Sequence, residues 1–320
     1  MDGIDRRSLI AAGMALPLMS GAATAQTSAA AMTAWPPRET IRLWPGRPPG
    51  SPATLPTYNP RMDGNPANPE LWLRGVAEPI VGVFRPERPD GRAILTIPGG
   101  GYGFVSIENE GIDVASVLNP KGITVFALAY RLPGEGWSDE TAVPLQDAQR
   151  AMRLIRQGAR GFGIDPDRLG IVGFSAGGHL ATSLTVAHGD RVYAPVDAAD
   201  QLSARPAYSG LVYPVTSGRA LGRPGDDSAA FRTYRRFDGP ARLTSESPPL
   251  FIVHALDDPL VPLAHPRAMF DAAIEKRVPV EAHFLERGGH GFGAMNLPER
   301  APGRTWPDLF ERWIAARETA

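Results

Sequence analysis

The sequence predicts an α/β fold: a mainly parallel sheet covered by helices on both faces. Three observations carry this. From residue 71 onward, short apolar runs alternate with segments of helical spacing. Two of those runs, 123–130 and 169–174, are almost continuous, as expected of strands buried on both faces. The second passes at once into a helix-compatible stretch through Gly-Phe-Ser-Ala-Gly, and repeated strand–helix alternation of this kind builds parallel sheets.

Along the chain, residues 1–25 stand apart. Arg6 and Arg7 precede Ser8 and a short run of apolar and small residues, and Ala23-Thr24-Ala25 gives a small-x-small exit. This is the pattern of a cleaved secretory signal, with the paired arginines of the twin-arginine type. The run is too short to span a bilayer, so the expected location is periplasmic or secreted, with no membrane in the mature form. Residues 26–70 contain Pro36, Pro37, Pro45, Pro48, Pro49, Pro52, Pro56 and Pro60. Each fixes φ and removes a donor, so this stretch reads as an extended arm on the surface of the domain, with long regular elements disfavoured.

Residues 71–320 read as one domain. Strands are expected at 80–84, 93–97, 123–130, 169–174, 209–213, 250–254 and 280–285. Helices are expected at 107–118, 143–162, from Ala176 onward, at 266–276 and at 306–316. The first ends at Asn119-Pro120-Lys121-Gly122; the second carries Leu145, Ala148, Met152 and Ile155 near helical spacing and stops around Gly161 and Gly163. The polar, basic, Gly/Pro-punctuated segment 215–245 has two readings: an insertion beside the site forming a partial lid, or a solvated connection.

Bulk properties remove several function classes. The formal net charge of −1 offers nothing to recruit nucleic acid or acidic lipid. The chain has no cysteine, which excludes disulfides, thiol catalysis and thiolate metal sites.

The chemistry centres on Gly173-Phe174-Ser175-Ala176-Gly177. Between a strand and a helix, G-x-S-x-G makes a sharp turn that lifts the serine hydroxyl above the sheet edge. The helix N-terminus adds a positive dipole and the Ala176 N–H. Serine needs a base, and of the downstream histidines only His290 lies in a glycine-rich loop, 287–293, directly after the last expected strand. The acid should follow strand 250–254, where Asp257 and Asp258 compete. Asp258 stands three before Val261 and four before Pro262, the usual spacing of the acid in this loop; Asp257 is the alternative and would otherwise cap the turn. An oxyanion hole needs a second donor after an early strand, and Pro98-Gly99-Gly100-Gly101-Tyr102 sits there. Gly100 and Gly101, with Ala176, are the expected donors. The loop lacks both the G-x-G-x-x-G spacing and the Lys-Ser/Thr of phosphate-binding loops.

These residues carry a resemblance. The triple glycine, Glu108-Asn109-Glu110-Gly111, Tyr130-Arg131-Leu132-Pro133, Asp147-Ala148-Gln149-Arg150-Ala151, Gly163-Ile164-Asp165-Pro166-Asp167-Arg168 and the elbow together resemble bacterial α/β-hydrolases of the xylan acetylesterase and ferulic-esterase-like group, across roughly residues 40–315. At Pro98 the chain departs from hormone-sensitive-lipase-like enzymes, which carry histidine there, while matching the sugar-esterase subgroup. The resemblance implies hydrolysis of short acyl esters, acetyl groups on plant sugars foremost, by Ser175, His290 and Asp258, with no metal or cofactor. Tyr102, Glu108 and Asn109 are candidate contacts for a sugar; for Glu108 and Asn109 an exposed helix start is an equal reading. The partner expected is a small-molecule or oligosaccharide ester. An amidase, formamidase or peptidase on the same triad remains open, and a non-catalytic binding module is the third reading, against which both serine and histidine are retained.

Overall fold

The structure, a computed structural model, describes residues 35–221 and 225–317. The expected signal segment and the first residues of the arm lie outside them. In chain order the strands are β1 (Thr40–Arg42), β2 (Asn59–Asn65), β3 (Asn68–Arg74), β4 (Ile80–Phe84), β5 (Ala93–Ile97), β6 (Val105–Ser106), β7 (Thr124–Ala129), β8 (Leu169–Phe174), β9 (Ser209–Val212), β10 (Leu250–Ala255) and β11 (Val280–Leu285). The helices are α1 (Asp113–Leu118), α2 (Val143–Gln157), α3 (Ala159–Phe162), α4 (Ser175–Ala187), α5 (Ala229–Arg236), α6 (Gly239–Arg242), α7 (Ala264–Lys276) and α8 (Trp306–Ala316).

Eight strands form one sheet in the order β1-β4-β7-β5-β8-β9-β10-β11. β1, β4 and β7 pair antiparallel, and from β7 to β11 every pairing is parallel. This is the α/β-hydrolase fold. The continuous apolar runs are explained by two cores split along the pleat. Leu95, Ile97, Leu169, Ile171, Leu250 and Ile252 face one core with α2, α4 and α7. Ile94, Val172, Phe174, Phe251 and Val253 face the other with α1 and α8. Successive strand residues point to opposite faces, so a strand covered on both must be apolar throughout.

Four details differ from the sequence reading. Segment 107–118 opens with a π-helical turn, Glu108–Ile112, before α1. The long helix at 143–162 breaks at Gly158, where a Cβ would stand 2.5 Å from the Phe162 ring. The arm holds more regular structure than its prolines predict: β1 extends the main sheet, and β2 and β3 form a hairpin that joins β6 in a second, three-stranded sheet. Within 215–245, Ser228 and Asp238 cap α5 and α6 through their side-chain oxygens.

The arm is fastened by buried charge. Arg131 and Asp147 form an ion pair at 2.8 Å with neither side chain exposed. The Trp44 indole donates to Asp147 Oδ1 at 2.8 Å, and Arg131 donates to the Pro49 carbonyl at 2.8 Å. Arg150 donates to the Leu43 carbonyl at 2.9 Å while pairing with Asp197 and Asp200. Removing one partner of a buried pair leaves the other uncompensated, at a cost of about 3–5 kcal/mol. Asp147→Ala is therefore expected to lower unfolding free energy by about that amount, measured by urea denaturation; a loss under about 1 kcal/mol would show that Arg131 finds other partners.

Candidate active site

Parallel strands place the residues after their C-terminal ends along one edge, and a ligand crevice forms there. Register makes those ends level: Ile97 pairs with Gly173, Phe174 with Val212, Val253 with Val212, and Ala255 with Leu285. Beyond them come the glycine loop after β5, Ser175 after β8, Asp258 after β10 and His290 after β11.

Ser175 sits at φ +52°, a strained conformation for a residue with a Cβ. Its flanking glycines are required by space. A Cβ on Gly177 would lie 2.1 Å from the Ile97 carbonyl oxygen and 2.4 Å from that of Pro98, and one on Gly173 would lie 2.4 Å from the Gly177 carbonyl. Only glycine lets the first turn of α4 press against the end of β5.

The triad is assembled as the chain order requires. His290 Nε2 lies 2.8 Å from Ser175 Oγ, and His290 Nδ1 lies 2.7 Å from Asp258 Oδ2. Burial alone would raise the Asp258 carboxyl, but its bond to His290 and those from the Val261 and Leu260 N–H groups outweigh this and hold it below the usual carboxylate range. It stays ionised and fixes the imidazole with Nδ1–H toward itself and Nε2 free to accept from the serine. Asp257 serves the backbone instead. Its Oδ1 accepts from Gly288 and Gly289, both at 2.8 Å, and so shapes the histidine loop.

Gly100 and Gly101 line the cleft with Ser175, at φ +122° and +61°. Ala176 follows Ser175 in the first turn of α4. Among the described residues, no group of three or more histidine, aspartate or glutamate side chains is placed to hold a metal ion.

The expected sugar contacts fare unequally. Tyr102 is buried; its hydroxyl meets His179 Nδ1 at 2.9 Å, and it is not part of the cleft lining. Glu108 also lies outside the lining, its carboxylate accepting from the Leu71 N–H of β3 at 2.7 Å. The physical reason is the local backbone: the wide π-turn faces the Glu108 side chain toward the hairpin, while Tyr102, at φ +61°, points into the core. Asn109 does line the cleft, with its side chain bonded to Gly291 O and Asn296.

Sequence reasoning misses three groups of residues. The hairpin brings Glu70 and Trp72 to one wall, and segment 215–245 brings Leu221, Phe231 and Tyr234 to another. That segment is thus a wall of the site, closer to the partial-lid reading than to a solvated connection. The third is Glu110, buried beside the elbow. Its Oε2 accepts from the Gly99 N–H at 2.5 Å and its Oε1 from the Tyr213 hydroxyl at 2.7 Å. A signal was available: Glu110 shares the i, i+3, i+4, i+7 stripe of Ile107, Gly111 and Val114, an acid on the face that must be buried. Burial pushes its carboxyl up to about 8, against the two donors that pull it down.

The cleft encloses about 510 Å³, the size of a small-ligand site. Fold and site together have the arrangement of a serine hydrolase. The chain belongs to the prolyl oligopeptidase family, whose model matches residues 115–301. It is 33% identical over 223 residues to an acetylxylan esterase of Xylanibacter ruminicola, covering 66% of this chain and 43% of that protein. It is 35% identical over 140 residues to an ethyl acetate hydrolase of Pseudomonas putida, covering 42% of this chain and 40% of that one. The chain therefore spans less than half the length of these curated relatives. An acetyl ester-xyloside bifunctional hydrolase from Caldicellulosiruptor lactoaceticus superposes with a TM-score of 0.66 at 28% identity, over 88% of this chain and 96% of that one.

The geometry sets two expectations. Asp258→Asn should lower kcat by about 10⁴-fold, because the amide favours the wrong imidazole tautomer, while Asp257→Asn costs far less; equal losses in steady-state assays would remove the distinction between them. For stability, Glu110 keeps its proton in the folded chain up to about 8 but releases it near its ordinary 4.5 once unfolded. Its contribution is full below that lower value and is lost as pH rises toward the upper one. The stability difference between wild type and Glu110→Gln, from urea midpoints at a series of pH values, should therefore shift against wild type across that window; a pH-independent difference would show that the group does not titrate there.

Proposed function

We propose that this protein is an exported serine carboxylic-ester hydrolase that removes acetyl and other short acyl groups from plant-derived sugars or xylan. The observation that carries the ester chemistry is the continuous Ser175–His290–Asp258 relay opening into a cleft lined by Gly100 and Gly101. Ser175 Oγ attacks the ester carbonyl as His290 Nε2 takes its proton. The oxyanion is met by the N–H groups of Ala176 and the glycine loop, which act most strongly where water is excluded. Collapse expels the alcohol, protonated by His290, and leaves an acyl-enzyme. A water then attacks, giving its proton to His290, and Ser175 is released with the free acid.

The sugar substrate is supported by the names of the acetylxylan esterase and acetyl ester-xyloside relatives. It is also supported by a lining that combines polar Glu70, Ser106 and Asn109 with apolar Val215, Leu221 and Phe231. Export rests on the leader sequence, and no helix among the described residues is long and apolar enough to cross a membrane. A second reading, peptide or amide hydrolysis, is favoured by the family name alone.

The test compares p-nitrophenyl acetate, p-nitrophenyl octanoate and a prolyl p-nitroanilide, in wild type and Ser175→Ala, followed by acetate release from acetylated xylan. Expected are rapid cleavage of the acetate, poor cleavage of the octanoate, acetate from xylan, and no activity in Ser175→Ala. Cleavage of the anilide with neither ester touched would replace the proposal by the amidase reading.

A further inference from the structure

Two loops must hold still against each other for the site to work: the glycine loop that receives the oxyanion and the loop that carries His290. They come from strands far apart in the chain, and between them stands the π-turn Glu108–Ile112. Both loops are bonded to it. On the glycine-loop side, the Gly99 N–H donates to Glu110 Oε2 at 2.5 Å. Behind it, the Thr96 hydroxyl donates to the Glu110 carbonyl at the end of β5. On the histidine-loop side, Asn109 Nδ2 donates to the Gly291 carbonyl at 2.9 Å, one residue past His290. The Gly293 N–H donates to the Tyr213 hydroxyl at 2.9 Å, which in turn donates to Glu110 Oε1 at 2.7 Å.

The approach is close enough to dictate sequence. A Cβ on Gly293 would lie 1.9 Å from Asn109 Oδ1, and one on Gly99 would lie 3.1 Å from Glu110 Oε2 and 2.9 Å from Ser175 Cβ. Tyr213 adds a second contact: its ring packs on the His290 imidazole with centroids 4.9 Å apart. Its backbone is held at φ +36°, in the sparsely populated region that persists only where the surroundings demand it. A π-turn in place of a regular helix start, as is common near functional sites, puts Asn109 and Glu110 side by side toward the two loops.

We infer that Glu110 and Tyr213 are positioning residues that lock the oxyanion loop to the histidine loop, so that the base and the oxyanion donors are set as one unit. Neither exchanges a proton or bond with substrate in this role. They act through Gly99 and Gly293.

The inference rests on Ser175 being the catalytic nucleophile, but not on which ester it cleaves, so the main readout is independent of substrate. A fluorophosphonate reacts with the serine by forming an Oγ–P bond and expelling fluoride, while His290 takes the hydroxyl proton; its tetrahedral product places an oxygen in the oxyanion hole. Wild type, Glu110→Ala, Glu110→Gln, Tyr213→Phe and the double variant Glu110→Ala/Tyr213→Phe are compared for phosphonylation rate, and for kcat and KM on p-nitrophenyl acetate. Far-UV circular dichroism identifies the folded variants.

Glu110→Ala and Tyr213→Phe are each expected to slow phosphonylation and kcat by about 10- to 100-fold, up to the loss of one oxyanion donor. KM should stay within about threefold, because ground-state binding is little affected. The double variant should be no slower than the worse single variant, as for residues acting as one unit. Glu110→Gln, which can still accept from Gly99, should recover most of the rate. A folded Tyr213→Phe at wild-type rate, single losses that multiply in the double variant, or a Glu110→Gln as slow as any alanine variant would each overturn the inference. If the alanine variants fail to fold, Tyr213→Phe and Glu110→Gln decide it alone. A wild type that is phosphonylated but leaves the ester uncleaved would sink the ester proposal while leaving this test intact.

Discussion

The close contact between the first turn of α4 and the end of β5 is the constraint on which the site depends. Gly177 rests on the carbonyl oxygens of Ile97 and Pro98 with no room for a methyl group. A non-glycine residue held at φ +52° carries strain on the order of 1–3 kcal/mol, and packing on both sides maintains it: the Val215 N–H also donates to the Ser175 carbonyl, at 3.1 Å. Because the same contact joins the strand of the nucleophile to the strand of the oxyanion loop, the hydroxyl and the loop move together or not at all. Geometry set in advance spares the site from reorganising at the moment of reaction, which is the source of most electrostatic catalysis.

Around that contact, carboxyl groups fill three roles, separated by environment. Asp258, fed by N–H groups and by His290, remains an anion. Asp257, at the surface, organises the backbone of the histidine loop and is itself held low, first by the Gly289 N–H. Glu110, fully enclosed, is driven toward the neutral acid by desolvation. Histidines are sorted by the same principle. His179 is lowered to about 4 by burial, so its ring is neutral; Nε2–H donates to the Phe237 carbonyl and Nδ1 accepts from Tyr102. It is a strut, and only His290 faces the serine.

Much of this is legible in the residues, for identifiable reasons. Strands 80–84, 93–97 and 169–174 have the bounds their apolar runs predict, since burial on both faces leaves no ambiguity of period; strand 280–285, at the sheet edge and half-buried, also keeps its expected bounds. Ser175, His290 and Asp258 can be found because their chemistry is tied to chain order and to glycine-rich turns. The hairpin at 59–74 is hidden by Pro60 and the prolines before it: β2, which holds Pro60, lies on the outer edge of its small sheet, where a proline is tolerated. Tyr102 and Glu108 are misplaced by sequence reasoning because a sequence reports proximity along the chain but not direction, and direction here is reset by one positive φ and one π-turn. Glu110 escapes notice because an acid in a helix is ordinarily read as facing water.

The clamp that fastens the arm has a consequence for how the site is divided along the chain. Every triad and glycine-loop residue comes from strands and loops beyond residue 93, whereas Glu70 and Trp72 come to the cleft from the hairpin paired with β6. Residues 43–50, just ahead of that hairpin, give Arg131 and Arg150 carbonyl partners and tie the arm to the domain. The reacting groups and this part of their surroundings are thus drawn from separate stretches of one chain, the surroundings from the earlier.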